Sequence, residues 1–537
     1  MTTATTPAST TTDTIRGERV EVFDTTLRDG CQLEGVSVTV EDKLRIAAQL
    51  DHLGLAYIEG GWPGANPKDE EFFRRARTEL SLESSKLVAF GSTRRAAGKV
   101  DSDPTLANLV GAGTGTVCIV AKCWDYHVTE ALGTTLEEGV AMVRDSVQYL
   151  RSHGLEVMVD AEHFFDGFKH NPEFSLRVLE AAAEAGATHL VLCDTNGGSL
   201  PHEVEDAVAQ VVAHFKGDVI VGIHCHDDTG CAVANSIAAV RGGARHVQGT
   251  INGLGERTGN CNLSTMIPNL QLKLGFEVLP EGRLDRLTAV SHHIAELVNR
   301  PLNIQAPYVG SSAFAHKAGL HVSAIAKAPD AYEHVSPATV GNGTRFVVSE
   351  MAGRATIKIK AEQLGIELDG AQINGVIDEL KRLEHEGYHF EAADASLELL
   401  MRRVGGWTQP FFEVESMRVI TDELPNKSFT TEATVKVHVD GVRYVEVAEG
   451  NGPVNAIDQA LRHALAPAYP QLGRIHLVDY KVRILDSQAA TGATTRVLLD
   501  ATDGDRTWTT IGVSANIIEA SWQALADSLV YGLLHTA

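Results

Sequence analysis

The chain has 537 residues, enough for about three or four domains of ordinary size, or for one large barrel with additional modules. With 44% hydrophobic and 22% charged residues it has the composition of a globular protein with large cores, which excludes wholesale disorder. Its 46 Lys and Arg against 70 Asp and Glu residues give a formal net charge of -24. Because that charge repels polyanions, nucleic acid is not predicted as a partner.

The first residues and the cysteines indicate the compartment. Residues 1–13 have neither the apolar segment of a signal peptide nor an arginine-rich amphipathic pattern, and no run of about 18 apolar residues predicts a membrane span. The seven cysteines are odd in number and contain no CxxC pair, which is not the pattern of a disulfide framework. We therefore expect a cytoplasmic protein with no membrane partner, whose residues 1–18 form a disordered tail.

From residue 20 onward, eight short apolar segments alternate with helical patterns. The predicted strands are 20–26, 56–61, 86–92, 116–122, 156–162, 188–194, 219–225 and 246–252. Near-continuous apolar strands are typical of a parallel sheet that is buried on both faces. The segment 135–154 predicts a helix, because its apolar residues form one stripe and Thr135 with Glu138 makes a capping-box pattern. Eight such units in about 250 residues favour a (β/α)8 TIM barrel over 19–285, with a doubly wound open sheet as the alternative.

Polar residues at the predicted strand ends suggest a metal site. The first strand ends in DTTLRDG, which contains Arg28 and Asp29, and the seventh ends in HCHDD, where His224 and His226 share one face of the strand. Asn260 follows the eighth strand in a glycine-rich turn. Strands one, seven and eight are neighbours in a closed barrel, so these nitrogen and oxygen ligands can converge on Mn, Mg, Co or Zn. Histidines satisfied within the fold, and a plain loop around Asn260, are the structural alternatives.

Two further strand ends carry polar side chains. Glu162 ends the fifth strand, where it could act as an acid or base, or could pair with a nearby cation as a structural carboxylate. Thr195 ends the sixth strand, where its hydroxyl could bind a substrate carboxylate or complete a turn. Their position at the carboxyl ends of barrel strands favours the functional interpretation of both.

Several of these motifs resemble one family. FDTTLRDG, GIHCHDDTGCAVANS, NGLGERTGN and SAFAHKAGLHVSA resemble the metal-dependent Claisen-condensing enzymes that include the 2-isopropylmalate, homocitrate and citramalate synthases, and the resemblance covers nearly the whole chain. Within that family, QLEGVSVT, GGWPGANPKD, DAEHFFDGF and YEHVSPATVGN look like the citramalate synthase type. The resemblance implies a TIM-barrel catalytic domain, a helical linker that covers its mouth, and a C-terminal regulatory domain.

The resemblance also implies a role for individual residues. The metal ligands that it implies are Asp29, His224, His226 and, nearby or more weakly, Asn260. Arg28 would polarise the keto oxygen of a 2-keto acid, and Thr195 would hold the carboxylate of that acid. Glu162 would lie near the reacting methyl group, and His321, assisted by Tyr332, would handle the proton.

Beyond the barrel the chain is expected to form two further domains. The segment 286–405 is rich in helical patterns and resembles the linker of the family. Within 406–537, residues 435–465 and 496–529 both alternate as a hairpin and then become helical, which predicts an α+β domain with a duplicated ββα unit. That domain resembles the family's amino-acid-sensing domain, which implies a homodimer and inhibition by an end product, isoleucine.

The expected reaction condenses acetyl-CoA with pyruvate and water to (R)-citramalate and CoA, in isoleucine biosynthesis. A synthase that uses a larger keto acid, such as 2-isopropylmalate synthase, is the alternative with the same chemistry. A metal-dependent CoA-ester lyase or carboxyltransferase shares the barrel and the Asp and HxH ligands. A catalytically inactive amino-acid sensor is a third class, which the presence of Arg28, Asp29, His224 and His226 disfavours.

Overall fold

The computed structural model describes residues 17–316, 324–325, 328, 332–346, 353–390, 393–408 and 411–535. The chain divides into two compact units, Met1–Phe314 with Glu333–Gly343, and Ala315–Tyr332 with Thr344–Ala537. Sixteen residues of the predicted tail, 1–16, lie outside the described residues.

The first unit contains a closed barrel of eight parallel strands, which confirms the TIM-barrel prediction and removes the open-sheet alternative. Each strand pairs with the next along the chain, and β8 pairs with β1 to close the barrel. The strands are β1 Glu21–Asp24, β2 Tyr57–Gly61, β3 Lys86–Ser92, β4 Thr116–Lys122, β5 Glu156–Glu162, β6 His189–Asp194, β7 Ile220–Cys225 and β8 His246–Gly249. The first and last strands are shorter than predicted because the residues after Asp24 and Gly249 turn into loops at the barrel mouth.

Helices surround the barrel and bury one apolar face against the strands. They are α1 Val40–Leu53, α2 Pro67–Glu79, α3 Pro104–Gly111, α4 Leu136–Ser152, α5 Phe164–His170, α6 Pro172–Glu184, α7 Pro201–Phe215, α8 Ala232–Arg241, α9 Leu263–Pro268 and α10 Leu287–Leu297. The predicted start of α4 is confirmed, because the Thr135 hydroxyl accepts a hydrogen bond from the Glu138 backbone N–H at 3.2 Å. Where a helix has such a cap, the cap fixes the residue at which that helix begins.

Alternate residues of each strand point to opposite sides of the barrel wall. On β4, Val117 and Ile119 pack outward with the helices, whereas Cys118 packs inward with Phe23, Val88 and other residues of the barrel interior. The middle of the barrel interior is therefore filled by a core that includes Phe23, Val88 and Cys118.

The second unit contains the predicted duplication, with one more strand in each copy than the sequence analysis anticipated. Its strands are β9 Ala315–His316, β10 Arg345–Phe346, β11 Glu413–Glu423, β12 Phe429–Val439, β13 Val442–Gly450, β14 His476–Ile484, β15 Thr495–Thr502 and β16 Thr507–Ser514. Two antiparallel sheets, β11-β12-β13 and β14-β15-β16, are each followed by a helix, Pro453–Leu465 and Ile517–His535. The extra strands β11 and β14 are edge strands whose residues are mostly exposed, so the apolar alternation that marks a half-buried strand is weak in them.

The helix-rich part of this unit consists of Arg354–Gln363, Gly370–His385 and Asp394–Val404. All seven cysteines of the chain lie among the described residues, and each carries a free thiol. In the part of the chain that the structure describes, no helix combines the length and apolar character needed to cross a bilayer.

Candidate active site

Three predicted metal ligands meet at the carboxyl end of the barrel strands. His224 lies on β7, His226 follows that strand, and Asp29 lies in the loop after β1, which the closed barrel brings next to β7 and β8. The His224 Nε2 atom lies 3.5 Å from Asp29 Oδ2 and 3.4 Å from His226 Nε2, and His226 Nε2 lies 4.0 Å from the same Asp29 oxygen. All three side chains are buried. We call this group the mouth site.

The spacing of the mouth site fits one metal ion. Two atoms bound to one ion at about 2.1 Å cannot be more than about 4.2 Å apart, and all three separations satisfy that limit. Burial, and after it the neighbouring His224, lowers the pKa of His226 to about 4. The His226 imidazole is therefore neutral near pH 7, which is the form that binds metals.

The glycine-rich loop returns Asn260 to the mouth site, as the sequence predicted. Asn260 forms a backbone bridge with His226. The reversal depends on Gly259, whose φ is +96° and whose position leaves only 2.0 Å between an added Cβ and the Gly253 carbonyl oxygen. The Asn260 Nδ2 atom donates to the Leu254 carbonyl at 3.1 Å, while no described residue donates to its buried Oδ1. That oxygen is thus available as a fourth ligand.

A polar pair behind the mouth site, which the sequence analysis did not identify, orients His224. Gln248 Oε1 on β8 accepts from His224 Nδ1 at 2.9 Å, and Gln248 Nε2 donates to Asp160 Oδ1 on β5, also at 2.9 Å. Because the proton is held on Nδ1, the lone pair of His224 lies on Nε2 and points toward the other ligands. The sequence feature that marks this pair is the presence of one polar residue, Asp160 or Gln248, inside each of two otherwise apolar strands.

Replacing Gln248 by leucine is expected to weaken metal binding about 10- to 100-fold, because the His224 tautomer and ring orientation lose their support. Metal affinity of the folded variant, measured by calorimetric titration, checks this result. Gln210→Leu makes the same chemical change on an exposed face of α7 and should bind metal as the original chain does. An unchanged affinity in Gln248→Leu would contradict the orienting role.

Arg28 lies beside the mouth site, held between two carboxylates. Its Nε donates to Glu59 Oε2 on β2 at 2.6 Å, its Nη1 lies 3.3 Å from Asp29 Oδ2, and its guanidinium carbon lies 3.9 Å from the centre of the Phe90 ring. Glu59 is fully buried and also accepts a hydrogen bond from the Thr25 hydroxyl. This arrangement fixes a permanent positive charge at the edge of the metal ligands.

Glu162 and Thr195 lie at the same end of the barrel, as predicted. Glu162 forms an ion pair with Lys122 at the end of the adjacent strand β4, and the Thr195 hydroxyl accepts from the His163 backbone N–H at 2.8 Å. A cavity of about 240 Å³ joins these residues to the mouth site. The cavity is lined by Arg28, Asp29, Trp62, Phe90, Val120, Glu162, Thr195, His224 and His226, among others. It is a small polar pocket with an aromatic and aliphatic wall.

The two residues predicted from outside the barrel cannot be placed with this group. His321 lies outside the described residues. Tyr332 is described, with 47% of its surface exposed, and belongs to the second compact unit. Their participation in the site therefore stays a prediction.

Family models match three consecutive parts of the chain. Residues 19–294 match the HMGL-like family, residues 308–388 match the homocitrate synthase post-HMGL domain-like family, and residues 391–533 match the LeuA allosteric (dimerisation) domain. The first model covers the barrel and the loops that carry the mouth site.

Curated relatives match nearly the full chain. An (R)-citramalate synthase of Aquifex aeolicus is 53% identical over 520 residues, which are 96% of this chain and 98% of that protein. An (R)-citramalate synthase of Sulfolobus acidocaldarius is 46% identical over 517 residues, covering 96% and 97% of the two chains. A 2-isopropylmalate synthase of the same organism is 36% identical over 381 residues, covering 71% and 95%. The similarity thus extends through the barrel and the C-terminal units together.

Proposed function

We propose that this chain, which belongs to the (R)-citramalate synthase family within the HMGL-like proteins, condenses acetyl-CoA with pyruvate and water to (R)-citramalate and CoA. The observation that carries the proposal is the convergence of Asp29, His224 and His226 beside Arg28 in one small cavity. An active site that binds a keto acid and stabilises a new alkoxide needs metal ligands and a positively charged hydrogen-bond donor close together.

The cofactor that suits the mouth site is a divalent ion of intermediate hardness, Mn, Mg, Co or Zn, because the site offers imidazole nitrogens with carboxylate and amide oxygens. Bound at the mouth site, such an ion would act as a Lewis acid on the keto acid's carbonyl group. Arg28 adds a fixed donor where negative charge accumulates on the former keto oxygen. Phe90 and Glu59 hold the guanidinium in place, so little reorganisation is required during the reaction.

The other predicted residues position the two substrates. Thr195 binds the keto-acid carboxylate from the end of β6, and Glu162, anchored by Lys122, lies toward the acetyl methyl group. Deprotonation of a thioester methyl requires a positioned base, and we assign that step to His321 with the assistance of Tyr332. Hydrolysis of the resulting CoA thioester makes the condensation effectively irreversible.

Two observations favour pyruvate over a larger keto acid as the substrate. The chain is more similar to the Sulfolobus citramalate synthase than to the 2-isopropylmalate synthase of that organism, in both identity and coverage. The cavity is also small, and its apolar lining includes Trp62, Phe90 and Val120. The match of residues 391–533 to the LeuA allosteric (dimerisation) domain favours a regulated synthase over a CoA-ester lyase.

Enlarging the apolar wall is expected to change the choice of keto acid. Val120→Ala should raise the ratio of kcat/KM for 2-oxobutyrate to that for pyruvate about tenfold, because one methylene in such a pocket is worth about 1–3 kcal/mol. Steady-state kinetics with both acids measure the ratio. Val117→Ala removes the same two methyl groups from the outer face of β4 and should leave the ratio unchanged. A ratio that moves equally in both variants would contradict this assignment.

The decisive assay measures free thiol released from acetyl-CoA in the presence of Mn or Mg and one of four keto acids. The acids are pyruvate, 2-oxobutyrate, 2-oxoisovalerate and 2-oxoglutarate. Preference for pyruvate, lost on chelation, supports the proposal, while preference for 2-oxoisovalerate moves the assignment to isopropylmalate synthesis. No release with any acid would overturn the synthase function and direct attention to lyase activity or amino-acid sensing.

The C-terminal domain is proposed to form a homodimer and to bind isoleucine as an inhibitor. The support is the match of residues 391–533 to the LeuA allosteric (dimerisation) domain and the duplicated sheet-and-helix unit. Activity measured with added isoleucine, leucine or valine tests the effector, and light scattering of the full chain tests the dimer.

A further inference from the structure

A second group of metal-binding side chains lies at the opposite end of the barrel. Glu21, His189 and His246 are the first residues of β1, β6 and β8, so they lie at the amino-terminal end of the strands, away from the mouth site. The ring centres of His189 and His246 are 4.9 Å apart, and the centre of the Phe23 ring lies 5.5 Å from that of His246. We call these three residues the floor cluster.

The geometry of the floor cluster is that of a chelating group. His189 Nε2 lies 2.9 Å from Glu21 Oε2, and His246 Nδ1 lies 3.9 Å from the same oxygen. The ligand atoms of all three side chains lie within 4.8 Å of one another. Since two ligands of one ion at about 2.1 Å are at most about 4.2 Å apart, only a small side-chain rotation is needed to close the longest separation.

The unpartnered ring nitrogens of His246 are independent evidence for a bound ion. Its side chain has no exposed surface, and among the described residues neither ring nitrogen has a hydrogen-bond partner. Buried polar atoms are nearly always bonded, because leaving one unpaired costs free energy. A metal ion bound to His246 would satisfy one of these nitrogens.

The surroundings of His189 are compatible with a metal ligand. The Thr188 oxygen lies 2.9 Å from His189 Nδ1 and 3.2 Å from the Val157 carbonyl oxygen, so its hydroxyl can donate to either of them. Donation to Val157 leaves His189 Nδ1–H to donate to Thr188, and the lone pair on Nε2 then faces the Glu21 carboxylate, as binding of a shared cation requires. Donation to Nδ1 instead leaves His189 Nε2–H to donate to Glu21 without a metal.

The Glu21 side chain retains 20% of its exposure, which leaves a route for an ion from solvent. Two imidazoles and one carboxylate are a ligand set suited to Zn, Co, Mn or Fe(II).

We propose that Glu21, His189 and His246 form a second binding site for a divalent transition-metal ion, at the end of the barrel opposite the mouth site. This inference is independent of the proposed reaction. The competing arrangement is a metal-free hydrogen bond in which His189 Nε2–H donates to Glu21 Oε2.

The test counts metal ions in the full chain. Protein stripped by chelator and reloaded with Co²⁺ is expected to hold two ions per chain, measured by mass spectrometry of the metal and by the Co²⁺ absorption spectrum. His226→Gln should lower the count to one by removing the mouth ion, and Glu21→Gln should lower it to one by removing the floor ion. Glu18→Gln, which alters the ion pair of Glu18 with Arg245 at the same end of the barrel, should keep two ions.

One ion per chain in the original protein, or two ions in folded Glu21→Gln, would overturn the proposal. If the Glu21 variant does not fold, His226→Gln alone decides the question, because its remaining Co²⁺ must give a spectrum with nitrogen ligands. A spectrum of hexaaqua Co²⁺, or none, would assign the floor cluster to the metal-free hydrogen bond.

Discussion

Replacement of Asp29 by asparagine is expected to lower both metal affinity and kcat/KM at least about 100-fold, since removing even an outer partner of a metal ligand costs about 10- to 100-fold. The change preserves the shape of the side chain and removes its negative charge. Burial works to raise the pKa of Asp29, but Arg28, His224 and His226 together hold it below its usual range. The carboxylate is therefore ionised at neutral pH, and its negative charge offsets the Arg28 guanidinium beside it.

Two measurements check this result. Calorimetric titration with Mn²⁺ gives the affinity, and thiol release from acetyl-CoA with pyruvate gives the rate. Asp42→Asn makes the same substitution at the exposed start of α1 and should leave both quantities within about twofold, because its effect is on helix capping. Full activity in Asp29→Asn at saturating metal would remove Asp29 from the ligand set.

The barrel and most of the mouth site could be predicted because they depend on local patterns that closure of the sheet then brings together. Asp29 and His224 are about 195 residues apart in the sequence, yet adjacency of β1, β8 and β7 follows from an eight-stranded barrel alone. The position of Asn260 likewise follows from glycines that allow the loop to reverse.

The residues that support the site could not be predicted in the same way. Glu59, Asp160 and Gln248 stand singly within apolar strands, and their roles depend on which side chains face them across the barrel interior. Those pairings join residues of separate strands, and the sequence of one strand does not show which polar side chain lies opposite it across the barrel. The edge strand β11 was missed for a different reason, because its largely exposed residues leave no apolar stripe to detect.

Replacement of Arg28 by methionine is expected to reduce kcat/KM about 10²- to 10³-fold, the loss typical of removing one donor to a developing oxyanion. The same change should lower the free energy of unfolding by about 3–5 kcal/mol, because it leaves Glu59 as an unpaired buried charge. Thiol release and denaturant unfolding measure the two effects separately.

A second substitution separates stability from chemistry. Adding Glu59→Gln to Arg28→Met removes the unpaired charge, so the double variant should recover most of the lost unfolding free energy while its activity stays low. Recovery of activity together with stability would show that Arg28 supports only the fold. A lasting loss of activity in a well-folded double variant assigns Arg28 to the reacting keto oxygen.

The pH dependence of the single variant gives a further check on the origin of its instability. Burial raises the pKa of Glu59 above its usual value of 4.5, even with Arg28 present. A carboxyl whose folded pKa is raised costs no stability below the unfolded pKa, and the cost grows as pH rises through that value. The deficit of Arg28→Met should therefore be small near pH 4.5 and increase toward pH 8, whereas Arg28→Met with Glu59→Gln should show no such increase. A deficit that does not change with pH would mean that lost packing against Phe90, and not the charge of Glu59, destabilises the variant.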